Sequence, residues 1–538
     1  MNYPDIFELQ RQSKTRNAML MSALVFTTVL IIGIIGAIYN FGMTWEFGLY
    51  VGIGILVVIA IPVLIWNSPK VGFYFVFFGT MLFEGVTNGY GANSLILTSN
   101  VPFFWNLNNL GGQFGSSALG LFKFSIAEAI IVLTMVVWIV KAISARDFRV
   151  EKGAFFPWFA AYMAMVVFGL IRGIATSGDA QMALWEVRSQ FHMFFAYLMG
   201  ANLIKERKDV FPLLWCAIIG IGLKAFVGIN AYAQMSVITD QGVLMHEESL
   251  FFNVILFIAV VAWLSKSDTK MKWISLILSP IGIFVALQNQ RRSGIAAFIM
   301  AFIPLMPILY HVLEKRKTTV KRFLIGFTIF NIIYLLVAWN GNGPWALPAR
   351  AIRSNSDPNE RDASSDYYRL AENINLKATR DRSPFIGIGY GKPYDMLVYQ
   401  PGVENFDELL RYLPHNSIMW IWMRIGHIGF LCFMMLLATV CIKGVQILKA
   451  VQDPILQTIG SLGIVAPIML FAFGKFDMAM VNYRIVIMTG SFMGVLSILP
   501  KLYKKPDEAP SPEDEGRIDE TASFRDRPTI NPLKERFN

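Results

Sequence analysis

The sequence predicts an all-α polytopic membrane protein with one large extracytoplasmic loop, and three observations support this prediction. Hydrophobic residues make up 55% of the 538 residues, charged residues only 16%, and the mean hydropathy is +0.50. Soluble domains of this size are less apolar. Apolar runs long enough to cross a bilayer recur along the chain, which indicates about 14 (12–14) transmembrane helices. Loops rich in Lys and Arg alternate with loops that lack them, as positive-inside topology requires.

The apolar runs divide the chain into five parts. Residues 1–17 form a basic cytoplasmic N-terminus that leads into an uncleaved signal anchor. Residues 18–340 hold transmembrane helices 1–11, residues 341–416 the large extracytoplasmic loop, and residues 417–500 helices 12–14. Residues 501–538, rich in Pro, Asp, Glu and Arg, are predicted to be a disordered cytoplasmic tail. The predicted spans are 17–41, 47–66, 71–87, 122–142, 155–172, 185–204, 210–232, 249–265, 271–289, 293–313, 322–340, 417–442, 455–474 and 483–500.

The distribution of Lys and Arg sets the predicted orientation. Short Lys-rich loops, such as 141–152, 266–272 and 443–449, belong on the cytoplasmic side, which places both termini there. The insert at 341–416 and the turn at Gln290-Arg291-Arg292 then face outward. The net charge of +10 therefore reflects cytoplasmic loops together with an anion-binding site, and a nucleic-acid partner is not expected. The three cysteines lie in apolar runs and indicate neither a disulfide framework nor a metal site.

Arginine, unlike lysine, concentrates on the predicted outer side. Guanidinium groups bind phosphoryl oxygens in pairs and stay charged in apolar surroundings, so a cluster of them would suit a pyrophosphate. The alternative is that many of these side chains only pair with carboxylates or extend into solvent. Arg188, Arg291 and Arg292 are the strongest candidates, because charge near a membrane helix end is costly without a partner. Arg369 and Arg382 of the insert are further candidates for substrate binding.

Three motifs follow one another in the second half of the chain. Arg291-Arg292-Ser293-Gly294 opens a predicted helix, and the tract 383–391 (Ser-Pro-Phe-Ile-Gly-Ile-Gly-Tyr-Gly) lies within the insert. His415-Asn416-Ser417 ends the insert and is followed by the helical stretch 424–430. In this order and on one predicted side, the motifs resemble the O-antigen ligase and O-antigen polymerase superfamily, over about residues 185–445.

That resemblance implies a GT-C-like membrane glycosyltransferase in the bacterial cytoplasmic membrane, with its active site outside the cytoplasm. The donor would be a glycan on undecaprenyl pyrophosphate. The acceptor would be a hydroxyl of a lipid A core in a ligase, or of another lipid-linked glycan in a polymerase. By resemblance, His415 is the base or acceptor-orienting group, and Arg291 or Arg292 holds the pyrophosphate. Arg188 is a weaker correspondence.

The residue types suit this chemistry without a metal or another cofactor. Pyrophosphate is already a good leaving group, so the enzyme must neutralise its developing charge and activate one hydroxyl. Arginine can do the first and histidine the second. No Asp-x-Asp pair or Walker-type loop is present for a metal-bound nucleotide.

The insert offers two further candidates for substrate binding, Gly389 and Tyr390. Glycines let a loop bring its backbone close to a sugar or phosphate, although a plain structural turn explains them equally well. Tyrosine rings stack on sugars but also anchor proteins at membrane interfaces. A flippase for lipid-linked oligosaccharide is the main alternative function. Repeated halves would favour it, and none is visible in the sequence.

Overall fold

The computed structural model describes residues 60–503, with gaps at 85–95, 102, 105, 107–123, 147, 236–241, 342, 355 and 401–407. These residues form helices and no strand, so the predicted all-α class is confirmed within the described part of the chain. The first predicted span, most of the second and the predicted N-terminal and C-terminal tails lie outside the described residues.

The helices follow one another with short connections. Short 3-10 turns precede α9 and α10 and lie in the segment before α12. In chain order the α-helices are α1 Pro69–Leu82, α2 Ile126–Ser144, α3 Phe156–Ala175, α4 Ala180–Leu203, α5 Arg207–Gln234, α6 Glu248–Ser265, α7 Thr269–Gln288, α8 Arg292–Val312, α9 Lys317–Ala338, α10 Leu347–Arg353, α11 Glu360–Asp381, α12 Ser417–Ala450, α13 Pro454–Gly474 and α14 Tyr483–Leu502.

Among the described residues, ten helical segments are long and apolar enough to cross a membrane, so the chain is a multi-pass membrane protein. Two predicted spans look different in the structure. α1 has only 14 residues. α4 is long enough, but it buries Glu186, Gln190 and His192 and is too polar to count by composition. It lies inside the bundle, packed along α14, where polar side chains find protein partners. The number of 14 spans stays a prediction.

Contacts between helix ends define two ends of the bundle. At one end, Arg172 at the close of α3 reaches the insert, and Arg484 at the start of α14 pairs with Glu248 at the start of α6. We call this the insert end. At the opposite end, Lys70 of α1 pairs with Asp209 of α5 at 2.6 Å. The predicted outward-facing turns all lie at the insert end, as the alternation of loops requires.

α12 is broken by the tract at 383–391, which we call the glycine loop. Gly426 has φ +68° and ψ −171°, which interrupts the helix. The loop bonds to the freed backbone groups: the amide of His427 donates to the carbonyl of Pro384 at 2.7 Å, and the amide of Gly389 donates to the carbonyl of Arg424 at 3.1 Å. Non-helical backbone within a membrane bundle is stable when its polar groups are paired in this way.

Charges buried among the helices are paired. Lys224 of α5 contacts Glu84 and donates to Thr98 at 2.9 Å. Arg484 bonds Glu248 and donates to the carbonyl of Thr80 at 2.9 Å. Unpaired charges at this depth would be costly, and pairing removes most of that cost. These networks tie α1, α5, α6 and α14 together at the insert end.

Candidate functional site

The platform of the site is α11, a helix that forms most of the ordered insert. Asn359 caps its start by accepting from the amide of Asp362 at 2.8 Å, and the acidic first turn favours the helix dipole. Its polar composition keeps it out of the lipid, and one face packs against α12. The predicted large loop is therefore largely helical where it is described, and it closes over the insert end.

His415 is fixed by a buried carboxylate of α11. Its ring Nδ1 lies 3.2 Å from Oε1 of Glu372, a residue only 1% exposed. The backbone amides of His415 and Asn416 donate to the same carboxylate at 3.1 and 3.2 Å. Tyr368 packs edge-on against the imidazole with ring centroids 5.3 Å apart. The histidine side chain remains 29% exposed, so the other side of the ring is open to a ligand.

The carboxylate also makes His415 more basic. Burial alone would lower the pKa of the imidazole, but the hydrogen bond and negative charge of Glu372 outweigh burial and raise the pKa above its usual value. The nearby charge of Arg369 acts in the opposite direction. A histidine with a fixed ring and a raised pKa is suited to accept a proton from a hydroxyl.

Arg292 meets the acidic face of α11 from the start of α8. Its guanidinium donates to Asp366 at 2.8 Å and to the hydroxyl of Ser354 at 3.0 Å, and Asp362 lies 3.6 Å away. Asp366 also lies 3.7 Å from Arg369, one turn further along α11. One anion therefore bridges two guanidinium groups here. Phosphoryl oxygens would make the same contacts.

Arg292 and His415 both contact the same helix, α11. Their partners Asp366 and Glu372 are six residues apart, which is about 9 Å along a helix axis. Arg369 lies between them and its charge acts on both, since it pairs with Asp366 and opposes protonation of His415. Next to Arg292 is a polar cavity of about 160 Å³, lined also by Gln290, Arg350 and Asp362.

Two acidic groups of this region carry no motif and were not selected from the sequence. Glu372 is one. The other is Asp477, after α13, whose charge also raises the pKa of His415. Burial would raise the pKa of Asp477 itself, but the hydrogen bond and charge of His246, 3.5 Å away, lower it to about 2. Among the described residues, no group of three His, Cys, Asp or Glu side chains could hold a metal ion.

Of the other arginines selected from the sequence, Arg291 adjoins Arg292 and Arg188 lies elsewhere at the insert end. Arg291 is the residue that precedes α8, next to Arg292. Arg188 is bonded to Glu128 of α2 and donates to Asn106 at 2.8 Å, and its guanidinium lies over the ring of Tyr483. Glu128 is thus paired inside the bundle. No contact within the described residues joins this group to His415.

The remaining three candidates differ in exposure. Arg382 forms an ion pair with Asp395 at 2.6 Å on the surface, where its side chain is 66% exposed. Tyr390 is 0% exposed and packs against Trp420. Gly389, with φ +85°, lies so close to α3 that an added Cβ would be 2.5 Å from the backbone of Gly173. The glycine loop therefore packs closely against the backbone of α3. These contacts fit the interpretation of its glycines as a structural turn.

The glycine loop is held by a buried ion pair. Arg424 of α12 contacts Glu186 of α4 at 2.5 Å, and both side chains are 0% exposed. The guanidinium also donates to the carbonyls of Gly389, Lys392 and Tyr412, at 3.1, 2.6 and 3.1 Å. Arg424 thus connects α4, α12 and the insert.

The comparisons with known proteins agree with the motifs. The family model of the O-antigen ligase matches residues 251–434. This range includes the start of α8, all of α11, the glycine loop and His415, and it excludes Arg188. It confirms the resemblance to the O-antigen ligase and polymerase superfamily. A search of curated proteins finds no match to the chain.

Proposed function

We propose that the protein transfers a glycan from undecaprenyl pyrophosphate to an acceptor hydroxyl at the insert end, and that this end faces away from the cytoplasm. The observation that carries the proposal is that one helix, α11, holds both the imidazole of His415, through Glu372, and the guanidinium of Arg292, through Asp366. That arrangement suits a reaction in which one group meets the acceptor and the other the leaving pyrophosphate.

The reaction needs one proton transfer and one bond exchange. The acceptor oxygen attacks the anomeric carbon and forms the new glycosidic bond, while the bond from that carbon to the pyrophosphate oxygen breaks. The electron pair leaves with the pyrophosphate. The acceptor proton passes to the free ring nitrogen of His415, and Glu372 stabilises the imidazolium that forms. No oxidant, reductant or nucleotide is required.

Arg292 and Arg369 provide positive charge for the leaving group. In the unliganded protein Asp366 lies between them, 2.8 Å from the first and 3.7 Å from the second. Asp366 is 48% exposed, so its side chain has room to turn away when a pyrophosphate enters. Charge that develops on the departing phosphate is then neutralised by guanidinium groups already in place. Arg291 is a third group of the same kind at the start of α8.

The chemistry at His415 is the same for a lipid A core acceptor and for another lipid-linked glycan. We favour polymerisation, and a reaction of the purified full-length protein with a defined lipid-linked donor tests it. A ladder of product lengths supports a polymerase, and one transfer to an added core acceptor supports a ligase. Absence of both products, with the lipid-linked donor unconsumed, contradicts the proposal.

The role of Arg292 is tested in the same assay. Arg292→Ala should lower kcat/KM for the lipid pyrophosphate donor by about 10²-fold, because a charged contact to the leaving group is lost. The matched control is Arg322→Ala, which removes an exposed arginine from α9 at the opposite end. Equal activity of the two variants would remove Arg292 from the mechanism.

A further inference from the structure

Two side chains that do not belong to α11 border the region around His415. His246 lies in the segment before α6, and Asp477 lies in the turn after α13. The ring Nδ1 of His246 is 3.5 Å from Oδ2 of Asp477, and the two side chains are 44% and 16% exposed. The proposed transfer assigns neither of them a contact with a substrate. We call them the His246–Asp477 pair.

The turn that carries Asp477 is bonded to the His415 segment. The hydroxyl of Ser417, two residues after His415, donates to the backbone carbonyl of Asp477 at 2.7 Å. Oδ1 of the Asp477 side chain accepts from the amide of Met478 at 2.8 Å, while Oδ2 faces His246. The negative charge of Asp477 also acts on the imidazole of His415 and raises its pKa. The carboxylate of the pair is therefore a neighbour of the proposed base.

The segment that carries His246 is bonded to the residues before α8. The amide of Leu244 donates to Oδ1 of Asn289 at 2.7 Å, and Nδ2 of Asn289 donates to the carbonyl of Met245 at 3.2 Å. Asn289 precedes Arg292 by three residues. Because these bonds use backbone groups of the segment, they hold it next to the start of α8 without help from the imidazole.

The charges of the site suit two different ligands. Arg292 and Arg369 offer guanidinium groups, which match the pyrophosphate of the donor. Asp477 stays ionised, because the hydrogen bond and charge of His246 outweigh its burial and lower its pKa, and a carboxylate repels an anion. Carboxylate oxygens instead accept strong hydrogen bonds from hydroxyl groups, and imidazole can also bond to a hydroxyl. The pair therefore suits an uncharged polyol, such as a sugar ring.

We propose that the His246–Asp477 pair binds neighbouring hydroxyls of the acceptor sugar and so positions the reacting hydroxyl at His415. One hydroxyl donates to Oδ2 of Asp477, and a second bonds to Nε2 of His246. This inference rests on the proposed transfer and adds to it the groups that the acceptor meets. His246 is a positioning residue and does not take the acceptor proton. A site built to bond substrate hydroxyls rejects analogues that lack them.

The test measures the affinity for the acceptor separately from that for the donor. Transfer is followed at saturating lipid-linked donor and varied concentrations of a fluorescent acceptor, prepared from the glycan that mild acid releases from the same donor. His246→Ala should raise KM for this acceptor by about tenfold, because one hydrogen bond to the sugar is lost. KM for the donor and kcat should stay near their wild-type values. His246→Gln keeps a side-chain N–H and should recover part of the affinity.

The control variant is His311→Ala, at the opposite end of the bundle. Equal acceptor KM in His246→Ala and His311→Ala overturns the inference, and so does a loss confined to kcat. His246→Ala should melt at the wild-type temperature, because Asn289 holds the segment through its backbone. A normal melting temperature excludes unfolding as the cause of a raised KM.

Binding of the released glycan without donor separates this inference from the transfer reaction. Saturation-transfer NMR with the full-length protein in detergent should show affinity about tenfold lower in His246→Ala than in the wild type. If the wild-type protein forms no product but the variant still loses glycan affinity, the transfer proposal fails and the glycan site stands. Absence of glycan binding to the wild-type protein overturns the inference.

Discussion

The glycine loop and the His415 segment both belong to the insert, yet they have opposite environments. The loop is buried: Tyr390 is 0% exposed and its amide donates to a backbone carbonyl of α3, while the amides of Ile388 and Gly389 donate to backbone carbonyls of α12. His415 is bonded on one side only and keeps 29% of its side chain exposed. A motif within a polar segment can therefore stabilise the fold or take part in a reaction. The two roles differ in whether the polar side chain keeps a surface that a ligand can reach.

The arginines show the same contrast. Arg424 is 0% exposed, and its two terminal guanidinium nitrogens bond to one carboxylate and three backbone carbonyls, which a substrate cannot replace. Arg292 is 22% exposed and bonds mainly to carboxylates, which a phosphate can replace. We therefore expect substitutions in the first group to act on folding and those in the second on turnover.

The largest effect is expected at His415. His415→Ala should lower kcat by about 10²–10⁴-fold, because the proposed base for the acceptor proton is removed. Turnover of the lipid-linked donor by the purified variant measures it. His311→Ala, at the end of α8 and exposed at the opposite end of the bundle, is the matched control and should keep wild-type turnover. A normal rate in the His415 variant would show that the exposed imidazole takes no part in turnover.

A large loss of stability is expected at Arg424. Arg424→Ala leaves Glu186 charged and buried without its partner, which costs about 3–5 kcal/mol of folding free energy. The exposed pair of Arg382 and Asp395 contributes about 0–1 kcal/mol, so Arg382→Ala should fold normally. Thermal melting in detergent compares the two variants. Similar melting temperatures would show that the glycine loop does not depend on the buried pair.

A smaller loss is expected at Gly389. Gly389→Ala forces a side chain into left-handed backbone and against Gly173, which costs at least about 2 kcal/mol. Gly326 of α9 has no atom within 4 Å of an added Cβ, and Gly326→Ala should be neutral or up to about 1 kcal/mol stabilising. Melting curves of both variants test the difference. An unchanged melting temperature for Gly389→Ala would contradict close packing of the loop.

The smallest effect is a shift in pH dependence. Glu372 raises the pKa of His415, so Glu372→Gln should lower that pKa and move the acidic limb of the rate profile to lower pH. The imidazole of His415 cannot accept a proton when it is already protonated. In Glu372→Gln this imidazole should remain unprotonated at pH values where it carries a proton in the wild-type protein. Rates measured from pH 5 to 9 test this, with Glu360→Gln, exposed in the first turn of α11, as control. If the acidic limb stays at the same pH in Glu372→Gln, the group that titrates in this limb is not His415.

Much of the fold was predictable because lipid leaves few choices. Apolar length and loop charge predicted the fold class, and they placed the insert and the turn at Arg291-Arg292 at the same end of the bundle. α4 departs from the prediction in composition, because a helix surrounded by other helices can hold Glu186 and His192. Burial inside the bundle does not by itself make a helix polar, since α6, α13 and α14 are also buried and are still apolar enough to count as spans. The helical structure of α11 was also not predicted, since its apolar content is low.

The residues of the candidate site could be selected from the sequence where a motif contains them. His415 and Arg292 were selected from the sequence and meet on α11. Glu372 and Asp477 were not, because their role depends on contacts between segments far apart in sequence. One signal for Glu372 is its place on α11 one turn after Tyr368, where both side chains face the imidazole. Burial of Tyr390 had no local signal, because tyrosine is common on exposed loops and in cores.

The break in α12 has a consequence for how the chain is made. Residues 384–389 leave the ribosome before α12, yet they are the partners that complete the backbone hydrogen bonds around Gly426. The helix cannot reach its final hydrogen bonding on insertion alone and must wait for this earlier segment to dock. Biogenesis of the last three spans is therefore linked to the insert, and chains truncated before α12 leave the translocon with an undocked loop.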